Sequence, residues 1–246
     1  MAAQGSWAGR PWSDVERVRL DELLAALGIE APAPRRESLL TVWLAPGPWQ
    51  PPVTLARRGV VLFVLSGALL RSHGSVDLLL SGDAIRMNGE DGARWRVLPA
   101  QPVRLAIIGP HTVKALAEVP GAANALMHAL LQQLELELEL RAIVGIQRIE
   151  HRILAFFGLL ARRLGRQQSG GIRIPLALEQ KRIEEILSAG HTQATMAFRA
   201  LFSTGVLVHD AAGWRFDPPG SLVTVEPASP GRSARPSVAA HRACAG

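Results

Sequence analysis

The longest proline-free part of the chain contains residues 122–164, and this stretch constrains the fold more than any other. Its centre, residues 134–140, alternates leucine with glutamate, a pattern typical of a half-buried strand. Leucine and glutamate nevertheless favour helices, and residues 122–141 contain no β-branched side chain. We therefore expect a long helix that ends near Gly145, followed by a second helix.

The apolar side chains of this long helix would cover a face wider than the stripe of a minimal coiled coil. One seam consists of Met127, Leu131, Leu134 and Leu138, with Leu126, Leu130 and Leu140 beside it. We expect residues 119–146 to join two copies of the chain, through an interface formed by Met127, Leu130, Leu131, Leu134 and Leu138. The alternative is a helix buried within a monomer.

Length, cysteine content and charge limit the class of protein. A chain of 246 residues holds one large domain or two smaller ones. The single Cys244 excludes an internal disulfide and an iron–sulfur cluster. Acidic residues near the N-terminus argue against a signal peptide. No apolar run is long enough to span a membrane. We therefore expect a cytoplasmic protein without membrane contacts. Residues 141–216 hold eleven Lys and Arg against five Asp and Glu, a net charge of +6 that is typical of a phosphate-backbone binder.

The N-terminal half contains two regions with different sequence patterns. Residues 1–38 form a tail and a short helix, Trp12 to Ile29, with Ser13 as N-cap and Glu16 completing a capping box. Residues 39–118 have short apolar runs separated by turn residues, which favours an antiparallel barrel or sandwich. The candidate strands are LLTVWLA (39–45), VTLA (53–56), GVVLFVLSGALL (59–70), VDLLL (76–80), AIRM (84–87), WRVLPA (95–100) and VRLAII (103–108), and a helical turn follows at 112–116.

Residues 147–217 read as a small helical module. Gln147 to Leu164 is a helix with Arg148, Arg152, Arg162 and Arg163 directed outward, and residues 165–171 form a loop before an extended piece, 172–176. Helices 178–187 and 191–203 are joined by Ser188-Ala189-Gly190, and short strands follow at 206–208 and 214–216. This order is the layout of a winged helix-turn-helix. Residues 218–246, rich in Pro, Ser, Ala and Arg, are expected to be a disordered tail.

The order of these parts resembles the CRP/FNR family of bacterial transcription regulators over roughly residues 39–216. VLFVLSGALL (61–70) and LLLSGDAI (78–85) resemble strand and turn segments of the family's β-roll. The family's helix-turn-helix core positions are matched by Ile183, Ile186, Leu187, Ala194, Phe198, Leu201, Gly205 and Leu207. The resemblance implies an α+β fold: an N-terminal antiparallel β-roll (a cupin-like double-stranded β-helix), a long dimerisation helix and a C-terminal winged helix-turn-helix.

The resemblance also implies a function, namely a dimeric regulator that reads two-fold-symmetric double-stranded DNA with helix 191–203. The implied base contacts are His191, Thr192, Gln193 and Met196, and the implied phosphate contacts are Arg173, Lys181, Arg182 and Arg199. RNA polymerase and other regulatory proteins are further candidate partners. The family often places Arg, Glu and Arg where this chain has His191, Thr192 and Met196. An alternative is therefore a degenerate family member that acts through protein contacts. In that case the predicted base contacts would belong to an ordinary exposed face of helix 191–203.

No cofactor is expected in the sensor-like region, residues 39–118. Family members that bind cyclic nucleotides carry a short helix between a Gly-Glu and an Arg; here Gly89-Glu90 and Arg94 leave no room for it, so cyclic nucleotide binding is not expected. His73 and His111 are each expected to have a structural role. The alternative is that one of them binds haem. A metal enzyme on a cupin-like barrel needs a histidine cluster, which this region lacks, so we expect neither a metal site nor enzyme activity.

Overall fold

The structure is a computed structural model, and it describes residues 13–30, 38–47, 49, 61–73, 75–87, 94–98, 102–210 and 213–219. The strands are β1 (Ser13–Arg19), β2 (Ser38–Leu44), β3 (Val61–Ser66), β4 (Ala68–His73), β5 (Ser75–Leu80), β6 (Ala84–Arg86), β7 (Arg94–Val97), β8 (Val103–Ile108), β9 (Arg166–Gln168), β10 (Gly171–Ile174), β11 (Leu207–Asp210) and β12 (Gly213–Phe216). The helices are α1 (Leu20–Ala26), α2 (Pro110–Ala117), α3 (Ala122–Val144), α4 (Ile149–Leu164), α5 (Gln180–Ile186) and α6 (His191–Ser203).

Two antiparallel sheets make up the N-terminal roll. The larger has the strand order β1-β2-β8-β3-β6, and the smaller has the order β5-β4-β7. Their facing surfaces enclose an apolar core, which includes Val64, Leu79, Trp95 and Leu105. The predicted antiparallel β-roll followed by helices is confirmed. The predicted strand at 53–56 and residues 220–246 of the predicted tail (218–246) lie outside the described residues.

Gly67 moves the chain from one sheet to the other. The sequence suggested one long strand over 59–70, but β3 belongs to the larger sheet and β4 to the smaller. Gly67 has a φ of 88°, and a Cβ at this position would lie 2.8 Å from Val103 Cγ2. A positive φ and this close approach both require glycine, and so the single apolar run becomes two strands.

The prediction of a helix over residues 12–29 was wrong for its first part and right for Leu20 to Ala26. Ser13 begins β1, which pairs antiparallel with β2, and only Leu20 to Ala26 are helical. Because Ser13 starts a strand, the expected capping box does not form. Residues 15–19 pair with β2 instead, and this pairing outweighs the local helical preference. The segment thus extends the larger sheet.

Helix α3 carries two apolar stripes on opposite faces. The buried stripe, at spacings of four and three residues, consists of Ala122, Leu126, Ala129, Gln133, Leu136, Leu140 and Ile143. Its first half packs on the outer face of the larger sheet, and its second half joins the core of the C-terminal module. The Leu–Glu alternation arises because Leu136 and Leu140 belong to this stripe, whereas Leu134 and Leu138 belong to the exposed one. As expected, the helix ends near Gly145: Val144 is its last residue and Gly145 is the C-cap.

The C-terminal module packs α4, α5 and α6 against one face of a four-stranded sheet, β11-β12-β10-β9. Phe157 of α4 contacts Trp214 of β12, with ring centroids 4.9 Å apart. Residues 165–171, predicted as a loop, contain β9, because Arg166 to Gln168 pair with β10 through a tight turn at Gly170. The sequence did not reveal this hairpin, since its three β9 residues are polar and exposed.

Polar side chains join the roll to the C-terminal module. Asp83, after β5, accepts a hydrogen bond from Arg163 of α4 at 2.5 Å. Arg162 pairs with Glu139 of α3, and Arg71 of β4 donates to Glu137 of α3 at 3.0 Å. Arg163 was expected to point outward; it turns inward because a buried carboxylate faces it. No helix of the described residues is both long and apolar enough to cross a membrane.

Candidate nucleic-acid interface

Helix α6 is the second helix of a compact helix-turn-helix, and α5 is the first. Its bounds, His191 to Ser203, are those predicted from the sequence. The turn after α5 contains Ser188 with a φ of 48°, which reverses the chain within a few residues. Phe198 and Leu201 are buried in the same core as Ile183 of α5. This packing leaves one side of α6 facing solvent.

Arg152 of α4 fastens the helix-turn-helix to the end of the long helix. Its Nη1 donates to the carbonyl oxygen of Leu187 at 2.8 Å, and its Nε and Nη2 donate to the carbonyl oxygen of Ile146 at 3.0 and 2.6 Å. A cation at the carboxyl end of α5 satisfies an unpaired carbonyl and complements the helix dipole. The sequence analysis placed Arg152 on the outer surface, because its carbonyl partner Leu187 is 35 residues away.

The solvent-facing side of α6 carries all four residues predicted to contact bases: His191, Thr192, Gln193 and Met196. The side chain of Met196 is unusually open for a large apolar residue, with 67% of its surface exposed. Arg199 lies further along the helix and is also exposed. Along the helix, this face therefore presents an imidazole, a hydroxyl, an amide and a thioether before its first positively charged side chain, Arg199.

His191 is held by a carboxylate from the preceding helix. Its Nδ1 lies 3.0 Å from Oε2 of Glu184. The imidazole side chain is 84% exposed, whereas only 11% of the Glu184 side chain is exposed. Glu184 thus belongs to the rigid scaffold and His191 to the accessible surface. The sequence analysis did not identify Glu184, because its contact with His191 crosses the turn.

The four predicted phosphate contacts have different surroundings. Lys181 and Arg199 are exposed. Arg182 is buried and pairs with Glu179 at 3.6 Å and also with Glu185, so its guanidinium faces its own helix. Arg173 donates to both carboxylate oxygens of Asp210. The phosphate contacts of these residues remain predictions, and the arrangement favours Lys181 and Arg199.

Three arginines form a row across the outer face of the four-stranded sheet. Arg166 of β9 is the cross-strand partner of Arg173, which is the partner of Arg215 in β12. Arg166 and Arg215 are exposed, and Arg173 is half-buried. Directly opposed like charges destabilise a sheet, and here Asp210 offsets one of them. The sequence analysis missed Arg166 and Arg215, because the registers that align them depend on the hairpins.

A second exposed surface is the outer stripe of α3. Met127, Leu131, Leu134 and Leu138 are 57%, 51%, 51% and 55% exposed. Their spacing of four, three and four residues matches the a and d positions of a coiled coil. Leu130, also predicted at a subunit interface, is half-buried against the roll. Contiguous exposed apolar side chains of this kind mark protein–protein interfaces.

A cavity of about 380 Å³ lies between β4, β5 and β6 and the middle of α3. Arg71 lines it, and its guanidinium donates to Asp77 at 2.8 Å and to Glu137 at 3.0 Å. Gln133 also lines it; this side chain is 3% exposed, and neither of its amide atoms has a hydrogen-bond partner among the described residues. Within the described part of the chain, no group of three or more His, Cys, Asp or Glu side chains is placed to hold a metal ion.

No protein-family model and no curated protein matches this sequence. Solved structures do share its fold. A CooA mutant from Carboxydothermus hydrogenoformans is 14% identical with a TM-score of 0.60, over 84% of this chain and 94% of that one. A cyclic nucleotide-binding domain containing protein from Listeria monocytogenes is 13% identical with a TM-score of 0.62, over 81% and 97%. A CRP family transcriptional regulator from Thermus thermophilus is 12% identical with a TM-score of 0.52, over 73% and 93%.

These similarities confirm the resemblance to the CRP/FNR family at the level of the fold. The chain covers nearly the full length of each of these structures, from the roll through the long helix to the C-terminal module. Identities of 12–14% carry the shared architecture and no more.

Proposed function

We propose that the chain is a dimeric transcription regulator that reads a two-fold-symmetric DNA site with the exposed face of α6. The observation that carries the proposal is the placement of His191, Thr192, Gln193 and Met196 together on the solvent side of a firmly packed helix-turn-helix. The Thermus protein of the same fold is a transcriptional regulator of the CRP family. We expect no enzyme activity.

DNA binding is supported by the distribution of charge. The C-terminal module has a net charge of +6 over residues 141–216, whereas the preceding 140 residues have a net charge of −1. Lys181 of α5 and Arg199 of α6 are both exposed. Each phosphate that a cation neutralises releases counterions from DNA, so binding should weaken steeply as salt rises.

Dimerisation is supported by the outer stripe of α3. Pairing two such stripes would cover the exposed halves of Met127, Leu131, Leu134 and Leu138 in each chain. Burial of the remaining surface contributes on the order of 1 kcal/mol for each side chain. Two copies of α6 would then contact successive major grooves, about 34 Å apart.

The roll is the proposed sensing part, with the cavity beside Arg71 and Gln133 as its ligand site. An unpartnered amide in a largely buried position is costly unless a ligand or water satisfies it. We expect cyclic AMP not to bind, because the short segment between Gly89 and Arg94 leaves no room for a phosphate-binding helix. Titration calorimetry with cyclic AMP tests this, and measurable binding would contradict it.

The test of DNA reading is selection of binding sites from randomised DNA with purified protein. We expect a two-fold-symmetric motif for the wild type and no enrichment for the double variant His191→Ala/Gln193→Ala. A matched control is His151→Ala/Gln167→Ala, which removes the same two side-chain types from exposed positions outside α6. This control should retain the motif.

Two other outcomes would change the assignment. Salt-sensitive binding without any motif would indicate backbone binding only. Failure to bind DNA at about 50 mM salt, where backbone contacts are strong, would favour the alternative in which the chain acts through protein contacts, with RNA polymerase or another regulator as partner.

A further inference from the structure

The exposed face of α6 lacks the side chains that recognise guanine best. Residues 191–198 contain no Lys, Arg, Asp or Glu, and the first cation of the helix is Arg199. In the major groove, guanine presents the acceptors N7 and O6, which Arg or Lys contacts most often. Residues in the first two turns of a recognition helix are those that reach base edges. This face is therefore poorly matched to G·C pairs.

Met196 is matched to thymine instead. Its thioether side chain is 67% exposed, although burial of such a side chain is favourable. Thymine is the base that presents a methyl group in the major groove. Thr192 lies one turn before Met196 on the same side of the helix and adds a second methyl group. Apolar contact with a thymine methyl would remove the exposed part of Met196 from water.

Gln193 is matched to adenine. Its side-chain amide offers one acceptor and two donors. Adenine presents the acceptor N7 next to the donor N6, and glutamine binds this pair with two hydrogen bonds. Gln193 is exposed and neighbours Thr192 on the first turn of α6. One face thus carries a contact for each base of an A·T pair.

Glu184 gives His191 a hydrogen-bond polarity that suits adenine or cytosine but not guanine. A carboxylate accepts hydrogen bonds, so the Nδ1 that lies 3.0 Å from Glu184 carries the ring proton. In the neutral imidazole the other nitrogen, Nε2, is then an acceptor. An acceptor suits the exocyclic amino group of adenine or cytosine and is repelled by the O6 and N7 of guanine. Glu184 is a positioning residue here, because it acts through His191.

We infer that α6 selects half-sites with A·T pairs at the positions that Met196 and Gln193 contact, with a thymine methyl against Met196 and adenine against Gln193. The base at His191 is adenine or cytosine, whose amino group faces the Nε2 that accepts when Nδ1 donates to Glu184. This inference rests on the proposed DNA-binding function. Replacing a contacted A·T pair by G·C should weaken binding roughly 5- to 100-fold.

The experiment measures DNA-binding affinity at pH 8 and fixed salt. It combines the removal of single chemical groups from the DNA with the replacement of single side chains in the protein. Sites selected by the wild type should have A·T at the positions that Met196 and Gln193 contact. Replacing each thymine in turn by deoxyuridine, which removes only the methyl group, should weaken wild-type binding about threefold or more at one position. The Met196→Ala variant should show no such loss there. Because Met196 is exposed, its replacement should leave the melting temperature unchanged, and this is measured alongside.

A second pair of variants tests the two other contacts. Met196→Arg should acquire preference for guanine at the position where the wild type selects thymine or its partner. Glu184→Gln should relax discrimination against guanine at the base next to His191, because an amide can both donate and accept. The matched control Glu179→Gln changes another α5-region carboxylate, away from His191, and should leave discrimination as it is.

The outcomes separate this inference from the broader one. A symmetric motif with G·C at the positions that Met196 and Gln193 contact, or equal deoxyuridine effects in wild type and Met196→Ala, would overturn the inferred A·T preference and leave the DNA-binding function standing. An absence of any enriched motif would instead remove the proposed function on which the inference rests.

Discussion

Oδ1 of Asp83, after strand β5, lies 2.5 Å from Nη2 of Arg163 on α4, so that an ion pair connects the roll with the C-terminal module. The carboxylate is only 1% exposed, and its other oxygen accepts the backbone N–H of Leu80 at 2.8 Å. The Asp belongs to the Gly-Asp turn that resembles the family motif. Its long-range partner, 80 residues away, gives this turn a role in domain packing.

Arg163→Ala is expected to lower the free energy of unfolding by about 3 kcal/mol, because it leaves a buried carboxylate without a counter-ion. The matched control is Arg162→Ala, whose partner Glu139 is exposed like Arg162 itself. Loss of an exposed pair should cost less than about 1 kcal/mol. Urea denaturation of both variants measures the two values, and equal losses would show that Asp83 does not depend on Arg163.

Asp83 should also give stability a characteristic dependence on pH. Burial raises the pKa of Asp83 above 3.8, against the opposing effects of Arg163 and the Leu80 N–H. The folded chain therefore binds this proton more tightly than the unfolded chain. From pH 3.8 up to the raised pKa, the contribution of this group to stability falls as pH rises, and the loss persists at higher pH.

The variant that isolates this effect is Asp83→Asn, which does not titrate. Relative to wild type, its free energy of unfolding should increase as pH rises through that window and then level off. Urea denaturation at a series of pH values gives the difference directly. A difference that is constant with pH would contradict the raised pKa.

Leu131→Glu is expected to dissociate the proposed dimer, because it places opposed carboxylates at the centre of the outer stripe of α3. Gln132→Glu is the matched control; it adds the same charge at the next position, on a different side of the helix. Sedimentation velocity should find monomers for Leu131→Glu and dimers for Gln132→Glu and wild type. If Leu131→Glu sediments as the wild type does, α3 is not the subunit interface.

Arg199→Ala should weaken binding to all DNA sequences to a similar extent and reduce the slope of log affinity against log salt by about 1. Arg182→Ala should behave differently. Its guanidinium is buried between Glu179 and Glu185, so its removal should lower stability rather than the salt slope. Anisotropy titrations at several salt concentrations, with thermal melts of each variant, distinguish the two roles.

The parts that the sequence predicted well are those fixed by local patterns. Helix α6 has the expected bounds because the Ser-Ala-Gly turn, the buried Phe198 and the stop near Gly205 are all local signals. The long helix was predicted against its Leu–Glu alternation, because leucine and glutamate favour helices. The sequence analysis placed the apolar side chains on one wide face, whereas the structure has them in two stripes on opposite faces.

What the sequence did not reveal depends on contacts between distant residues. Strand β1 forms because it pairs with β2. The sequence of residues 13–19 alone does not indicate this pairing. The inward turns of Arg152 and Arg163, and the alignment of Arg166 with Arg173 and Arg215, follow from packing and register. Side-chain direction at such positions is a property of the assembled core.

The two stripes on α3 have a consequence for how the chain responds to its own abundance. The buried stripe holds the roll and the C-terminal module together, while the outer stripe faces the proposed second copy. Under that assembly one helix would serve both folding and association, and only folded chains could associate. By mass action, the melting temperature would then rise with protein concentration. At low copy number the chain would be less often paired and more readily unfolded, so that the level of synthesis would set how much folded dimer is present.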